Sequence, residues 1–146
     1  MGGRVRIIWI IGAVLFLVFV AAVLASAPAI PQTGGGQIER GKYLVEELGR
    51  CGECHTPRTP DGDLDGSRWL QGAPVWFKPI QPVRDWAYSA PPLAGLPGFS
   101  DADAMKVLER GVGPNGYPVR PPMHDYHMNH DDAAAIVAYL RSLGGK

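Results

Sequence analysis

Residues 51–55 read Cys-Gly-Glu-Cys-His, and this short stretch constrains the chain more than any other. Cys51 and Cys54 are the only cysteines, so neither a disulfide framework nor a four-cysteine zinc site is open to the fold. The rest of the chain needs a staple. It carries 19 glycines and 14 prolines in 146 residues and is 19% charged, the composition of a small domain rich in ordered loops. Such a domain has trouble burying enough apolar surface by itself and gains from a metal or a bound cofactor.

The spacing indicates which staple. Two thiols three residues apart on a tight helical turn can each add to one vinyl group of a single porphyrin. The histidine that follows then points its imidazole at the iron. C-x-x-C-H is the attachment sequence for c-type haem, so one covalent haem c is expected on Cys51 and Cys54 with His55 as an iron ligand. Other readings are bland or less supported. A thioredoxin-like C-x-x-C needs a preceding strand in a βαβ unit, whereas Ile38 to Leu48 reads as a helix. A zinc site needs a fourth ligand, which only His124, His127 or His130 could supply. A chance match fits poorly with exclusive cysteine use in a chain that carries an export signal.

That signal is the run Ile7 to Ala25, which is apolar and uncharged throughout. It is close to the ~20 residues that cross a bilayer as a helix. Arg4 and Arg6 precede it, so the N-terminus is expected to stay in the cytoplasm and the remainder to be exported. Ala25-Ser26-Ala27 resembles a cleavage site, but the run exceeds the roughly 7–15 residues of a signal h-region. A retained anchor is therefore expected over 1–25. A Pro/Gly linker follows over 26–36 and a haem domain over 37–146. Every acidic residue lies beyond the apolar run, leaving 12 basic and 14 acidic residues there. With no basic stripe, nucleic-acid binding has no electrostatic footprint.

Several pieces together carry a family resemblance: Glu39-Arg40-Gly41-Lys42-Tyr43, Cys51 to Pro57, Ala90-Pro91-Pro92-Leu93, Pro121-Pro122-Met123, and Ala135-Ile136-Val137-Ala138-Tyr139-Leu140. Residues 38–146 resemble the single-haem class I cytochromes c, especially bacterial forms associated with membrane dehydrogenases and respiratory complexes. The resemblance implies an all-α cytochrome c fold of about three helices with long ordered loops around one haem, here preceded by one transmembrane helix. It also implies His/Met ligation, which raises the reduction potential. Met123 is the expected sixth ligand, a short loop before the last helix. Met105 lies in a helical pattern, and Met128 precedes the helix cap Asn129, where an apolar residue commonly acts as a staple. The family often has Met-Pro, whereas His124 follows Met123 here, so ligation by a second histidine stays open. The resemblance further gives Pro91 the role of accepting the His55 Nδ1–H through its carbonyl, with adjacent Pro92 as an alternative. Leu93 is expected to pack on the haem.

The scaffold reads as three helices. One runs from about Ile38 to the haem turn. A second begins at Ser100, with a weak capping box to Asp103, and stops at Gly111. The last is capped by Asn129, with Asp131 and Asp132 favoured by the dipole and an apolar stripe of Ile136, Val137, Leu140 and Leu143. The resemblance implies a first–last helix crossing through Gly41, Tyr43, Tyr139 and Leu140. Arg58 to Tyr88 lacks periodicity and holds three tryptophans, so it is expected to wrap the haem edge, with a Trp N–H or Arg68, Arg84 or Arg120 on the propionates. Asp61-Gly-Asp-Leu-Asp65-Gly66 mimics half an EF-hand, but Gly72 stands where a bidentate glutamate belongs.

Two classes of function follow. The first is single-electron transfer on the outer (periplasmic) face of the inner membrane. The chain would serve as a tethered carrier or as a subunit, facing a quinol-oxidising complex, a terminal oxidase or a dehydrogenase, and would not itself be an enzyme. The second is a haem enzyme or gas sensor with an open sixth position.

Overall fold

The structure is a computed structural model, and it describes residues 34–144. The expected anchor (1–25) and the first part of the expected linker lie outside the described residues. Among the described residues no helix is long and apolar enough to cross a membrane.

Helix α1 spans Gly34–Tyr43 and passes without a break into a π-helical turn, Leu44–Leu48. The helix thus starts four residues before Ile38, the expected beginning. Glycine weakens a helix by only ~1 kcal/mol per residue, so the packed turns from Ile38 onward can carry Gly34 to Gly36. Helix α2, Gly52–His55, is one turn long and holds most of the cysteine motif. A 3-10 turn follows at Gly66–Arg68. Strands β1 (Ala73–Pro74) and β2 (Ser89–Ala90) form a two-residue antiparallel ladder with Ala73 opposite Ala90. No strand is expected in an all-α reading; this one is too short to show as alternation.

Helix α3 spans Asp101–Arg110 and ends as its sequence indicates: Ser100 accepts from the Asp103 N–H, and Gly111 closes it at φ +63°. Helix α4 spans His130–Ser142. Its cap, Asn129, accepts the Asp132 N–H at 2.9 Å. Its last turn ends at Leu143 in a right-handed conformation. Arg141 there donates to the carbonyls of Gly95 (2.6 Å) and Phe99 (2.6 Å) and pairs with Asp101 at 2.8 Å. One side chain thereby ties the loop before α3 to α4.

Helices α1 and α4 cross at Gly41. A Cβ on Gly41 would lie 1.9 Å from the Ala135 carbonyl oxygen, so only glycine permits the crossing. Arg40 bonds Asp132 at 2.9 Å beside it, and the Tyr139 hydroxyl donates to Glu46 in the π turn. Leu140 is buried there, and Tyr43 is half exposed, with Arg40 over its ring. The buried core combines Leu44 and Val45 of the π turn, Leu70 and Leu96 of the loops, Ala104 of α3, and Ala135, Ile136 and Leu140 of α4.

Candidate functional site

The π turn delivers the cysteine motif. The Gly49 N–H reaches back to the Leu44 carbonyl at 2.7 Å, and the Cys51 N–H to that of Val45 at 3.0 Å. Within the motif the His55 N–H bonds the Cys51 carbonyl at 3.0 Å. Gly52 is required because Trp69 lies on it: a Cβ there would sit 2.3 Å from the indole ring.

Beyond His55 a network of main-chain bonds draws three segments together. Buried Thr56 accepts the Leu70 N–H on its hydroxyl at 3.0 Å. The Leu70 carbonyl accepts from Leu93 at 2.8 Å and from Ala94 at 3.1 Å, and Gly72 donates to the His55 carbonyl at 2.7 Å. Gly72 has φ +81°, and a Cβ on it would lie 2.8 Å from Pro92 N, so the turn that supports the Pro91 segment admits no side chain. The outcome is a bond of 2.7 Å between His55 Nδ1 and the Pro91 carbonyl. A carbonyl only accepts, so Nδ1 carries the proton and Nε2 keeps its lone pair. His55 is 6% exposed. Burial lowers its pKa, opposed in part by the Pro91 bond; the neutral imidazole is the form a metal binds.

Cys51, Cys54 and His55 open onto one largely apolar cavity of about 620 Å³. Pro91, Leu93 and Leu96 line it, as do Val107, Leu108, Ile136 and Leu140 of the two long helices. Met123, His124 and Met128 line the same cavity. Both thiols are free. Burial pushes Cys51 up to about 11 and moves Cys54 in the same direction.

All six expected haem-site residues, Cys51, Cys54, His55, Pro91, Leu93 and Met123, therefore border this cavity. Of the two adjacent prolines, Pro91 makes the histidine bond. Met123 closes a tight turn. Its N–H bonds the Arg120 carbonyl at 3.1 Å, so Pro121 and Pro122 are the middle of a turn. The Pro121–Pro122 peptide is cis, the arrangement in which proline occupies the third position of a turn. Met128 both lines the cavity and packs on the core, with its N–H on Leu108. The three late histidines diverge. Only His124 borders the cavity, while His127 faces Asp125 at 3.5 Å and His130 pairs with Glu109 at 2.9 Å. Among the described residues no three His, Cys, Asp or Glu side chains converge as metal ligands.

The Asp61–Gly66 turn is held from within. Asp65 accepts from Ser67 and Arg68, which hold its carboxyl down at about 2. Arg68 is thereby turned to Asp65, whereas Arg120 borders the cavity. Val75, Phe77 and Ala87, within the 58–88 stretch expected to wrap the haem edge, line the cavity too, as does Tyr126. Tyr126 lies in a loop without periodicity, so only its aromatic character could have pointed to it. The Trp69 and Trp86 N–H groups are buried with no hydrogen-bond partner among the described residues, and neither tryptophan is among the residues that line the cavity.

The donor set fits a covalent haem. The thiols are side by side, a buried imidazole has a fixed tautomer, and the walls are apolar. A profile of the cytochrome c family matches residues 38–144. Over 114 residues the chain is 38% identical to a diheme cytochrome c-type protein of Cereibacter sphaeroides, covering 70% of this chain and 34% of that one. It is 34% identical to the fructose dehydrogenase cytochrome subunit of Gluconobacter japonicus, covering 73% of this chain and 22% of the relative. It is 33% identical to the gluconate 2-dehydrogenase cytochrome c subunit of Pantoea cypripedii, covering 75% and 26%. The chain spans about a third or less of the length of these relatives. With the motif, its cavity and the family profile in agreement, the chain belongs to the cytochrome c family.

Proposed function

We propose that this chain carries single electrons on one haem c, which Cys51 and Cys54 would hold through thioether links and whose iron His55 and Met123 would ligate. When bound, the haem supplies a one-electron iron couple, and Met/His ligation places that couple at high potential. The chain's own residues do the rest. Pro91 fixes the imidazole orientation and raises its basicity through Nδ1–H, as outer-shell partners of metal-bound histidines do. Leu93 and the aliphatic walls from α3 and α4 keep water from the ring. Met123 would supply the second protein ligand to the iron and so leave no site there for a substrate.

The domain is tethered by the 7–25 segment on the outer face of the inner membrane and works with a dehydrogenase. Two of the relatives named above are cytochrome subunits of sugar or sugar-acid dehydrogenases, which favours that partner over a quinol-oxidising complex or a terminal oxidase. The carrying observation is the 2.7 Å His55–Pro91 bond in a cavity shared with both thiols and Met123. The test uses protein expressed with the haem-attachment machinery. Its chromophore is expected to survive denaturation and acid-acetone washing, and its ferric form to show the long-wavelength charge-transfer band of methionine ligation. Rapid stoichiometric carbon monoxide binding to the reduced protein would instead establish an open-site haem protein. A colourless washed protein would end the haem reading altogether.

A further inference from the structure

Four of the seven large apolar side chains exposed among the described residues fall between positions 76 and 88: Trp76, Ile80, Val83 and Tyr88. Ile80 is 97% exposed and Trp76 61%. A group of apolar side chains left in water marks a contact surface more often than scattered single ones do.

This loop is also joined to the cavity. The β1–β2 ladder closes its base, and the Val75 N–H bonds the Tyr88 carbonyl at 2.9 Å. The Ala87 N–H bonds the Pro121 carbonyl at 2.7 Å, next to the turn that carries Met123. Val75, Phe77 and Ala87 line the cavity, while Trp76, between two of them, faces water. The Trp76 ring meets Phe77 edge-on at 5.2 Å, so one aromatic ring separates the exposed indole from the cavity. Arg58 holds Trp76 in place: its guanidinium lies 4.6 Å from the indole centroid and is anchored on the Gly62 carbonyl and on Glu53.

The loop's charge differs from that of the chain around it. Lys78 and Arg84 stand against Asp85 alone, whereas the chain beyond the apolar run has more acidic than basic residues. The loop therefore combines exposed apolar side chains with a net positive charge.

We propose that loop 75–88 is the docking face for an electron-donating redox protein whose contact surface is apolar at its centre and acidic at its rim. This inference rests on the haem function proposed above. Continuity from Trp76 through Phe77 to the cavity favours a redox protein over a lipid surface as occupant. The step moves one electron from the donor's reduced centre to the ferric haem; no bond is made or broken and no proton moves.

The test uses the full-length, haem-loaded protein in detergent micelles. The probe is a reduced small blue-copper protein with an apolar face and an acidic patch, and electron transfer is followed by stopped flow. Trp76→Ser is expected to slow transfer about tenfold, as loss of a central aromatic anchor does. Ile80→Ser, whose side chain has almost no intramolecular contact to lose, is expected to slow it about threefold on the same grounds. Both variants should keep the wild-type potential and the wild-type rate with hexaammineruthenium(II). Leu48→Ser, an exposed apolar position outside the loop, should change neither rate. Rising salt should slow the wild-type reaction with the copper protein.

Wild-type rates in both loop variants would overturn the docking face. So would equal rates with a copper protein lacking the acidic patch. Transfer present in detergent, lost in anionic-lipid nanodiscs and regained there by Ile80→Ser would assign the face to lipid and overturn the proposal. Failure of hexaammineruthenium(II) to reduce the wild type would overturn the high-potential haem reading, and this inference with it.

Discussion

His55 and Met123 border the same cavity from segments built in different ways. Around His55, three segments are bound by main-chain hydrogen bonds, and Gly52, His55 and Thr56 are buried. Around Met123, no residue from 112 to 130 is fully buried, and the methionine's own tie is one turn bond to Arg120. The first segment holds its ligand's orientation by protein contacts alone. The second gains order from whatever its side chains grip. On the proposed reading, His55 is preorganised and Met123 is selected from neighbours that share its cavity, His124 and Met128 among them.

The largest effect that could break this contrast is spectroscopic. Met123→Ala should abolish the charge-transfer band completely and admit carbon monoxide to the reduced iron, while far-UV circular dichroism stays that of the wild type. Met128→Ala should keep the band. If Met128→Ala loses it and Met123→Ala does not, the ligand is the residue nearer the helix cap.

Stability should respond on the other side. Gly72→Ala forces a side chain into a left-handed conformation, at about 1–2 kcal/mol, and into contact with Pro92, where overpacking costs roughly 1–3 kcal/mol. A shift of the denaturant midpoint equivalent to roughly 2–5 kcal/mol is expected from those two contributions. Thr56→Val is nearly isosteric but leaves the Leu70 N–H buried without an acceptor, a loss of about 1–3 kcal/mol. If either glycine or threonine variant unfolds no more easily than Met123→Ala, the contrast between the two segments fails.

The smallest effect is a pH dependence. Burial, then the bond to Glu46, pushes the Tyr139 hydroxyl up to about 12 from 10. The folded state therefore favours the protonated phenol. That contribution is complete below pH 10 and lost as pH rises through about 12. Tyr139→Phe should flatten the fall in stability between those values in alkaline denaturation curves, with little change near neutrality beyond the lost hydrogen bond.

Local chemistry was the legible part. The cysteine motif, the Ser100 and Asn129 caps and the stop at Gly111 each depend on a few adjacent residues, and the structure places them as read. The Pro91–His55 bond and the Gly41 crossing were reached through resemblance, since nothing local in Pro91-Pro92 says which carbonyl faces the imidazole. What escaped reading depends on contacts far apart in sequence. Arg141 looks like an ordinary last-turn cation until the carbonyls of residues 95–99 come to it. Phe77 and Trp76 alternate between cavity and water, but the alternation is too short to register within an irregular loop. Nothing local in Pro121-Pro122 distinguishes an extended segment from a turn; the bond from the Met123 N–H to the Arg120 carbonyl decides for a turn.

The π-helical turn at Leu44–Leu48 sets the azimuth of everything after it. An α-helix advances about 100° per residue, so one residue more or fewer there would rotate the cysteine pair by about a quarter turn relative to Gly41. Removing one residue would regularise the helix and yet point the thiols away from the cavity. The spacing between Gly41 and Cys51 is thus a phase relationship as well as a length, fixed by the crossing at one end and by the cavity that Cys51 and Cys54 face at the other.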